Sequence, residues 1–180
     1  MSGMVSSPTK IRLYVDSDLC GDITVHVSRD QQHYLMNVMR LGAGAGVALF
    51  NGRDGEWFAR LQPDGRKSCT LVVGDQLREQ LSGPDIWLLF APVKKVRLDF
   101  IAQKASEMGC SRIWPVRTEF TQVLRVNHDR ILANAIEAAE QTERLDLPEI
   151  TPFCALQQAL EEIEPDRTLI FCDEEVAGDR

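Results

Sequence analysis

The hydrophobic pattern of this chain changes at Ser82-Gly83-Pro84, and this change limits the folds open to it more than any other feature. Before this point, short runs of β-branched and apolar residues are separated by turn residues, as in a small β-rich unit. After it, apolar runs alternate with segments of helical spacing, as in a parallel α/β sheet. Because Gly-Pro sequences mark loops, we expect an α/β protein of two domains, residues 1–80 and 85–180.

The first domain is predicted to be a small β-barrel closed around one helix. Its candidate strands are residues 11–15, 22–27, 47–50, 56–61 and 68–73. A hairpin turn is expected at 51–55, where the sequence Asn-Gly-Arg-Asp-Gly supplies two glycines. Ser28 is a candidate N-cap for the helix, in which apolar residues follow at helical spacing. Gly42 is predicted to end this helix.

The second domain is predicted to be a parallel sheet with helices between its strands. Continuous apolar runs predict buried strands at 86–91, 112–116 and 168–172. Three helices are predicted. The first spans 96–108 and ends at Gly109, the second runs from Asn127 to about Arg144, and the third spans 155–163. The inward face of the first helix is expected to carry Leu98, Ile101, Ala105 and Met108. That of the second helix is expected to carry Ile131, Ala135 and Ala138.

The net charge of −7 is unevenly distributed along the chain. Residues 137–180 carry a net charge of −10, whereas residues 1–136 carry +3, which permits an RNA partner. No window approaches 18 apolar residues and the N-terminus has no secretory signal, so we expect a cytoplasmic protein outside the membrane. The five cysteines form no C-x-x-C pair and the three histidines lie far apart, which argues against a metal site.

Cationic residues are the first candidate site. Lys94, Lys95 and Arg97 follow the predicted strand 86–91, and Lys104 lies two turns further along the helix. Ligands bind at the carboxyl ends of parallel strands, so these cations suit a phosphate-rich partner. A solvated basic turn explains them equally well.

Other candidates are single polar residues with an ordinary explanation beside the functional one. His33 and Arg40 lie two turns apart on the first helix and suit RNA contact, or are plain surface residues. Glu140 and Arg144 have the spacing of a helix-supporting ion pair. The glycines at 42–46 do not predict a phosphate loop, because they follow a helix and open a strand.

Ordered motifs across residues 11–172 resemble one family, the RsmE-like bacterial 16S rRNA uridine-N3 methyltransferases of the SPOUT (trefoil-knot) class. The matching elements are R-L-Y-V at 12–15, H-Y-L-M-N-V-M-R-L at 33–41, F-N-G at 50–52, K-K-V-R-L-D-F-I-A-Q-K-A-S-E-M-G at 94–109, T-E-F at 118–120 and E-A-A-E-Q-T-E-R-L-D-L-P-E-I at 137–150. The resemblance implies a PUA-like RNA-binding β-barrel, then a Rossmann-like SPOUT domain. It also implies methyl transfer from S-adenosylmethionine to N3 of a uridine, within a homodimer acting on the small ribosomal subunit.

Most of the site residues follow from the same resemblance, position by position. Lys94 and Lys95 are RNA-contact candidates through their charge and position. The resemblance places His33 and Arg40 in the RNA-binding domain's motif and Arg97 and Lys104 in a family helix and its approach, and we expect RNA contact from these four residues as well. The same resemblance places Glu107, Glu119, Glu140, Gln141 and Arg144 near the active cleft. It assigns no catalytic residue.

Two departures from the family qualify these expectations. Many members carry K-G-D/E-K where this chain has residues 94–97, and the family's G-P-E-G-G loop and L-G-x-R-I-L-R-x-E-T-A segment do not occur in it. Those segments form the knot and most donor contacts, so we expect a chain truncated before the knot, with its cofactor site after Arg180 and no activity alone. The alternatives are a non-catalytic rRNA-binding module and a small enzyme for an acidic metabolite.

Overall fold

The structure, a computed structural model, describes residues 10–65, 68–93 and 95–173. Its first part is a five-stranded sheet in the order β1-β3-β4-β5-β2. The strands are β1 (Arg12–Tyr14), β2 (Thr24–His26), β3 (Gly46–Phe50), β4 (Glu56–Pro63) and β5 (Cys69–Arg78). Only the β1–β3 pair is parallel. The predicted strands are therefore confirmed.

This sheet curls around its core as a half-barrel, the name used below for residues 10–80. Register shifts between β4 and β5, at Glu56/Trp57 and Trp57/Ala59, add the local bending that a curled sheet needs. The turn from β3 to β4 contains Gly52 and Gly55, both with positive φ. A Cβ on Gly55 would lie 2.3 Å from the carbonyl oxygen of Arg78, so this position requires glycine. The predicted hairpin is confirmed.

The α-helix of the half-barrel is shorter than predicted, and a turn of π-helix follows it. Ser28 and Gln31 form a capping box on α1 (Arg29–His33), and a π-helical turn, Tyr34–Val38, follows. The prediction that Gly42 ends the helix is wrong, because Arg40 turns the chain with a φ of 54°. The π-helical turn changes the angular spacing of the side chains, and only Leu35 is fully buried.

The second part is a parallel sheet with β7 at its centre. Its strands are β6 (Trp87–Phe90), β7 (Arg112–Arg117), β8 (Glu149–Ile150) and β9 (Cys154–Ala155). β6 pairs with one side of β7, and β8 and β9 pair with different parts of β7. The helices are α2 (Lys95–Glu107), α3 (His128–Gln141) and α4 (Leu156–Glu162). The predicted βαβ arrangement is confirmed.

Helices cover both faces of this sheet. On one face, Leu98, Ala102 and Ala105 of α2 and Ile131 of α3 pack against Ile113. On the other face, Ala159 of α4 packs in a cluster that includes Trp114 and Val116. The caps and stops predicted from local chemistry are present, since Asn127 accepts a hydrogen bond from the N–H of Arg130 and Gly109 has a φ of 89°.

Three expectations for this part are wrong. Residues 168–172 form no strand with the other described residues, and Ile170 and Phe171 are exposed, because a β-prone run becomes a strand only where a neighbouring backbone pairs with it. β6 is half-buried instead of buried on both faces, since it lies at an edge. Met108 lies beyond the end of α2, where helical spacing no longer holds it on the buried face.

Candidate functional site

A cleft of about 510 Å³ lies at the carboxyl ends of the parallel strands β6 and β7. Its lining residues are Ala91, Pro92, Val93, Arg97, Thr118, Phe120, Thr121, Gln122 and Val123. Two chain segments form it, one following each strand, and the first turn of α2 adds Arg97. In open α/β sheets this is the edge at which ligands bind.

Among the described residues, the cleft lining offers the guanidinium of Arg97, hydroxyl groups, the amide of Gln122 and an exposed aromatic ring. The N–H of Thr118 donates to the hydroxyl of Thr121 at 2.8 Å, which holds the turn after β7 in place. This turn presents Phe120 with 85% of its surface exposed. Exposed aromatic rings beside a cation are suited to stacking on nucleic-acid bases. The sequence expectations missed Phe120, although an aromatic residue directly after a strand's carboxyl end was a usable signal.

The basic residues of α2 are divided between the cleft and the helix surface. Arg97 lines the cleft, whereas Lys104 pairs with Glu107 at 2.5 Å. The hydrogen bond from Lys104 lowers the pKa of Glu107. Both residues are therefore satisfied within the helix. Lys94 and the side chain of Lys95 lie outside the described residues.

A second exposed surface lies on the half-barrel, around the π-helical turn. His33 and Arg40 are both exposed there, and the Nδ1 atom of His33 lies 2.8 Å from the amide nitrogen of Asn37. Tyr34 and Val38 are also exposed on this turn. A π-helical turn and a non-glycine residue with positive φ are unusual backbone states that cluster at functional sites.

Residues 139–147, called the bridge segment, contain three further predicted site residues, Glu140, Gln141 and Arg144, and none of these lines the cleft. Arg144 donates to the carbonyl oxygens of Ser106 at 2.6 Å and Cys110 at 2.7 Å. The carboxylate of Glu140 accepts from the backbone N–H of Tyr14 at 2.9 Å, and burial raises the pKa of Glu140. Glu140 and Arg144 therefore have separate partners, because α3 ends before Arg144. Gln141 is exposed at that end.

Glu119 occupies the turn between two cleft-lining residues, Thr118 and Phe120, and is exposed. It lies at the rim of the cleft, where a carboxylate can accept hydrogen bonds from a ligand. Its role remains a prediction.

Within residues 10–65, 68–93 and 95–173, no three His, Cys, Asp or Glu side chains are grouped as a metal site would require. In the same residues no helix has the length and apolar character of a membrane span.

Family models match both parts of the chain. The model described as an RNA methyltransferase domain matches residues 80–179, and an RNA methyltransferase PUA domain matches residues 27–74. The first match alone covers more than half of the sequence. The chain belongs to the RNA methyltransferase family. The resemblance and the fold class expected from the sequence are thereby confirmed.

Relatives in this family include proteins called ribosomal RNA small subunit methyltransferase E. The one from Rickettsia conorii is 31% identical over 150 residues, which are 83% of this chain and 62% of the relative. The one from Synechocystis is 29% identical over 161 residues, 88% of this chain and 52% of the relative. The chain thus spans about half to three-fifths of the length of these relatives.

Solved structures of two methyltransferases share the fold. A putative methyltransferase from Legionella pneumophila, in complex with S-adenosylmethionine, matches 90% of this chain and 70% of its own at a TM-score of 0.80 and 24% identity. The ribosomal RNA small subunit methyltransferase E of Neisseria gonorrhoeae, bound to S-adenosylmethionine, matches 86% of this chain and 66% of its own. Its TM-score is 0.78 and its identity is 25%.

Proposed function

We propose that this chain is the RNA-binding part of an S-adenosylmethionine-dependent enzyme that methylates N3 of a uridine in 16S rRNA. The observation that carries the proposal is the pairing, in one chain, of a PUA half-barrel with a methyltransferase sheet that has a cleft at its ligand-binding edge. The relatives named as methyltransferases of small-subunit rRNA support the substrate, and the structures solved with S-adenosylmethionine support the donor.

The RNA contacts would be shared between two surfaces. His33 and Arg40 on the half-barrel suit phosphates, and so does Arg97 in the cleft, with Lys94, Lys95 and Lys104 as further candidates on the same helix and its approach. Phe120 suits an unpaired base, because its ring is exposed and lines the same cleft as Arg97. Such contacts release counterions, so binding should weaken steeply with salt.

The reaction sets requirements for the uridine. Its N3 must lose a proton before or during attack on the methyl group, so the site needs a proton acceptor or a group that stabilises the developing anion. Holding the base in a fixed orientation supplies much of the remaining rate. We assign the cleft of this chain to that orienting task and leave the proton acceptor unassigned. Glu119 would act at the rim of the cleft. Glu107, Glu140, Gln141 and Arg144 do not line the cleft and would act by supporting the elements that form it.

The described lining of the cleft does not suit the sulfonium of the methyl donor. The charged side chain lining the cleft is the guanidinium of Arg97, which suits a phosphate better than a cationic sulfonium. The G-P-E-G-G motif also does not occur in the 180 residues. We therefore propose that these residues alone neither bind the donor nor catalyse transfer. We also propose that an enzyme of the relatives' length works as a cytoplasmic homodimer.

Two titrations test the proposal, with the N. gonorrhoeae relative as a positive control. A uridine-containing hairpin from 16S rRNA should bind this chain, and S-adenosylhomocysteine should bind the relative only. Absence of hairpin binding at low salt would contradict the proposed function. Equal binding of S-adenosylhomocysteine to both proteins would show that the donor site is placed wrongly. Hairpin binding by a natural protein that never methylates it would favour a non-catalytic rRNA-binding module.

A further inference from the structure

We propose that the bridge segment fixes the half-barrel and the cleft in one orientation, so that both contact a single folded RNA at the same time. Arg12 is the positioning residue of this arrangement. The inference rests on the proposed function in taking RNA as the partner. It adds that the RNA must present two contact points at a set spacing, phosphates to the half-barrel and an unpaired nucleotide to the cleft.

Arg12 joins the half-barrel to the end of α3. Its guanidinium donates to the carbonyl oxygens of Ala139 at 2.5 Å, Glu140 at 3.2 Å and Arg144 at 2.9 Å. The carbonyls of Ala139 and Glu140 belong to the last turn of α3, where they have no partner within the helix and favour a cation. The carbonyl of Arg144 lies in the loop that follows this helix. The same guanidinium lies 4.4 Å from the centre of the Phe50 ring. Its planar fork of donors fixes direction as well as distance.

Other contacts cross the same boundary. Arg78 donates to the carbonyl oxygen of Glu143 at 3.1 Å, and Phe50 packs with Ala139 and Leu145 in one buried cluster. The chain between the two parts is also held, since the N–H of Gly83 donates to Asp146 at 3.2 Å. A hinge between the two parts would have to break polar and apolar contacts together.

The bridge segment also reaches the helix that forms the cleft. Through Arg144 it holds the carbonyl oxygens of Ser106 and Cys110, at the C-terminal end of α2. The first turn of α2 carries Arg97 in the cleft. A continuous series of contacts therefore runs from the half-barrel through Arg12, the bridge segment and α2 to the cleft.

A rigid pair of contact surfaces has a consequence for affinity. Once one surface holds an RNA, the second contact is intramolecular and benefits from a high effective concentration, but only for RNAs of matching geometry. Because the orientation is set before binding, little ordering cost remains. The structure therefore favours a folded RNA over a short single strand, beyond what charge alone would give.

The experiment compares two RNA probes on four proteins. The probes are the 16S rRNA hairpin and a uridine trinucleotide, which we use as the single-site ligand. The proteins are the 180-residue chain and its variants Arg12→Ala, Arg78→Ala and Arg60→Ala. Arg60→Ala is the control, because Arg60 lies over the ring of Phe58 in the half-barrel and does not contact the bridge segment. We expect Arg12→Ala to weaken hairpin binding roughly tenfold or more, with trinucleotide binding changed less than about twofold. Arg60→Ala should leave the ratio of the two affinities unchanged.

The outcomes separate this inference from the proposed function. If the unmodified chain does not bind the hairpin, the proposed function fails. If it binds the hairpin but the affinity ratio is the same in all variants, the fixed orientation is overturned. If Arg12→Ala does not fold, the affinity ratio of Arg78→Ala tests the inference instead. The side chain of Arg78 is partly exposed, so its removal should disturb folding less. NMR relaxation of the unmodified chain should give one rotational correlation time, and two separate times would also overturn the inference.

Discussion

The guanidinium of Arg12 and the carboxylate of Glu56 form an ion pair with a distance of 2.6 Å, and each side chain is only 8% exposed. The second carboxylate oxygen of Glu56 accepts from Arg78 at 2.7 Å. One buried carboxylate therefore orients both arginines that hold the bridge segment. Buried ion pairs contribute little net stability compared with apolar packing, but removal of one partner is costly.

Replacing the central carboxylate tests this relationship directly. Glu56→Gln should lower the free energy of unfolding by about 3 kcal/mol, because two buried or half-buried guanidiniums lose their counter-charge. Urea denaturation at pH 7 measures the change. Glu161→Gln, on the exposed face of α4, is the matched control and should change stability by less than about 0.5 kcal/mol. A loss for Glu56→Gln as small as that of the control would contradict the prediction.

The same carboxylate predicts an acid dependence of stability. Burial alone would raise the pKa of Glu56, but the hydrogen bonds from Arg78 and Arg12 bring it below its ordinary value of 4.5. The stabilisation is therefore complete above pH 4.5 and is lost as the pH falls through the lowered pKa of the folded protein. Urea midpoints between pH 7 and pH 3 should fall more for the unmodified chain than for Glu56→Gln. Parallel curves for the two proteins would refute this assignment.

The contribution of Glu140 to stability should have the opposite dependence on pH. Burial raises its pKa above the ordinary 4.5, so its contribution to stability is present at low pH and is lost as the pH rises through the folded-state value. Glu140→Gln retains an acceptor for the N–H of Tyr14 and should be more stable than the unmodified chain at pH 7. The difference should vanish below pH 4.5. Thermal unfolding at both pH values checks it, and lower stability of the variant at pH 7 would count against the prediction.

Arg144 should matter for the fold of the bridge segment. Arg144→Ala removes the guanidinium that donates to the carbonyl oxygens of Ser106 and Cys110 and that neutralises the carboxylate of Asp146. We expect a loss of about 3 kcal/mol in the free energy of unfolding. Arg144→Lys should recover only part of this loss, since one ammonium cannot reproduce the fork of donors. Full recovery by lysine would show that charge alone is needed.

Phe120 separates binding from stability. Because its side chain is 85% exposed, Phe120→Ala should change the free energy of unfolding by less than about 0.5 kcal/mol. Loss of a stacked base costs about 1–3 kcal/mol, so hairpin affinity should fall roughly tenfold or more. Phe171→Ala removes a ring that is 80% exposed and does not line the cleft, and it should leave the affinity unchanged. Equal effects of the two variants would remove Phe120 from the RNA surface.

The elements predicted correctly depend on local chemistry. Ser28 and Asn127 cap helices because their side chains reach backbone N–H groups three residues ahead. Gly109 ends α2 because it adopts positive φ without a steric cost. The wrong predictions concern whether a strand has a neighbour to pair with, or where along the chain a helix ends. The run at 168–172 has strand composition but no paired neighbour among the described residues, and the π-helical turn shifted the end of the first helix from Gly42 to Arg40.

The candidate site divides in the same way. Strand order and motif spacing were enough to place Arg97 and Glu119 at the carboxyl edge of the sheet, because the ends of parallel strands meet there. They could not reveal that Arg144 holds α2 or that Glu140 contacts Tyr14, which is 126 residues away in the chain.

The sequence by itself determined the two-domain α/β organisation, the helix caps, the hairpin turn and the family. These follow from hydrophobic period, from residue conformational preference and from ordered motifs, all of which are properties of neighbouring residues. Only the tertiary structure decided that Arg12, Glu56 and the bridge segment join the half-barrel to the cleft. The physical reason is that the partners of a buried guanidinium depend on which backbone carbonyls the fold brings close to it. These carbonyls are far away in the sequence, so no local sequence pattern predicts them.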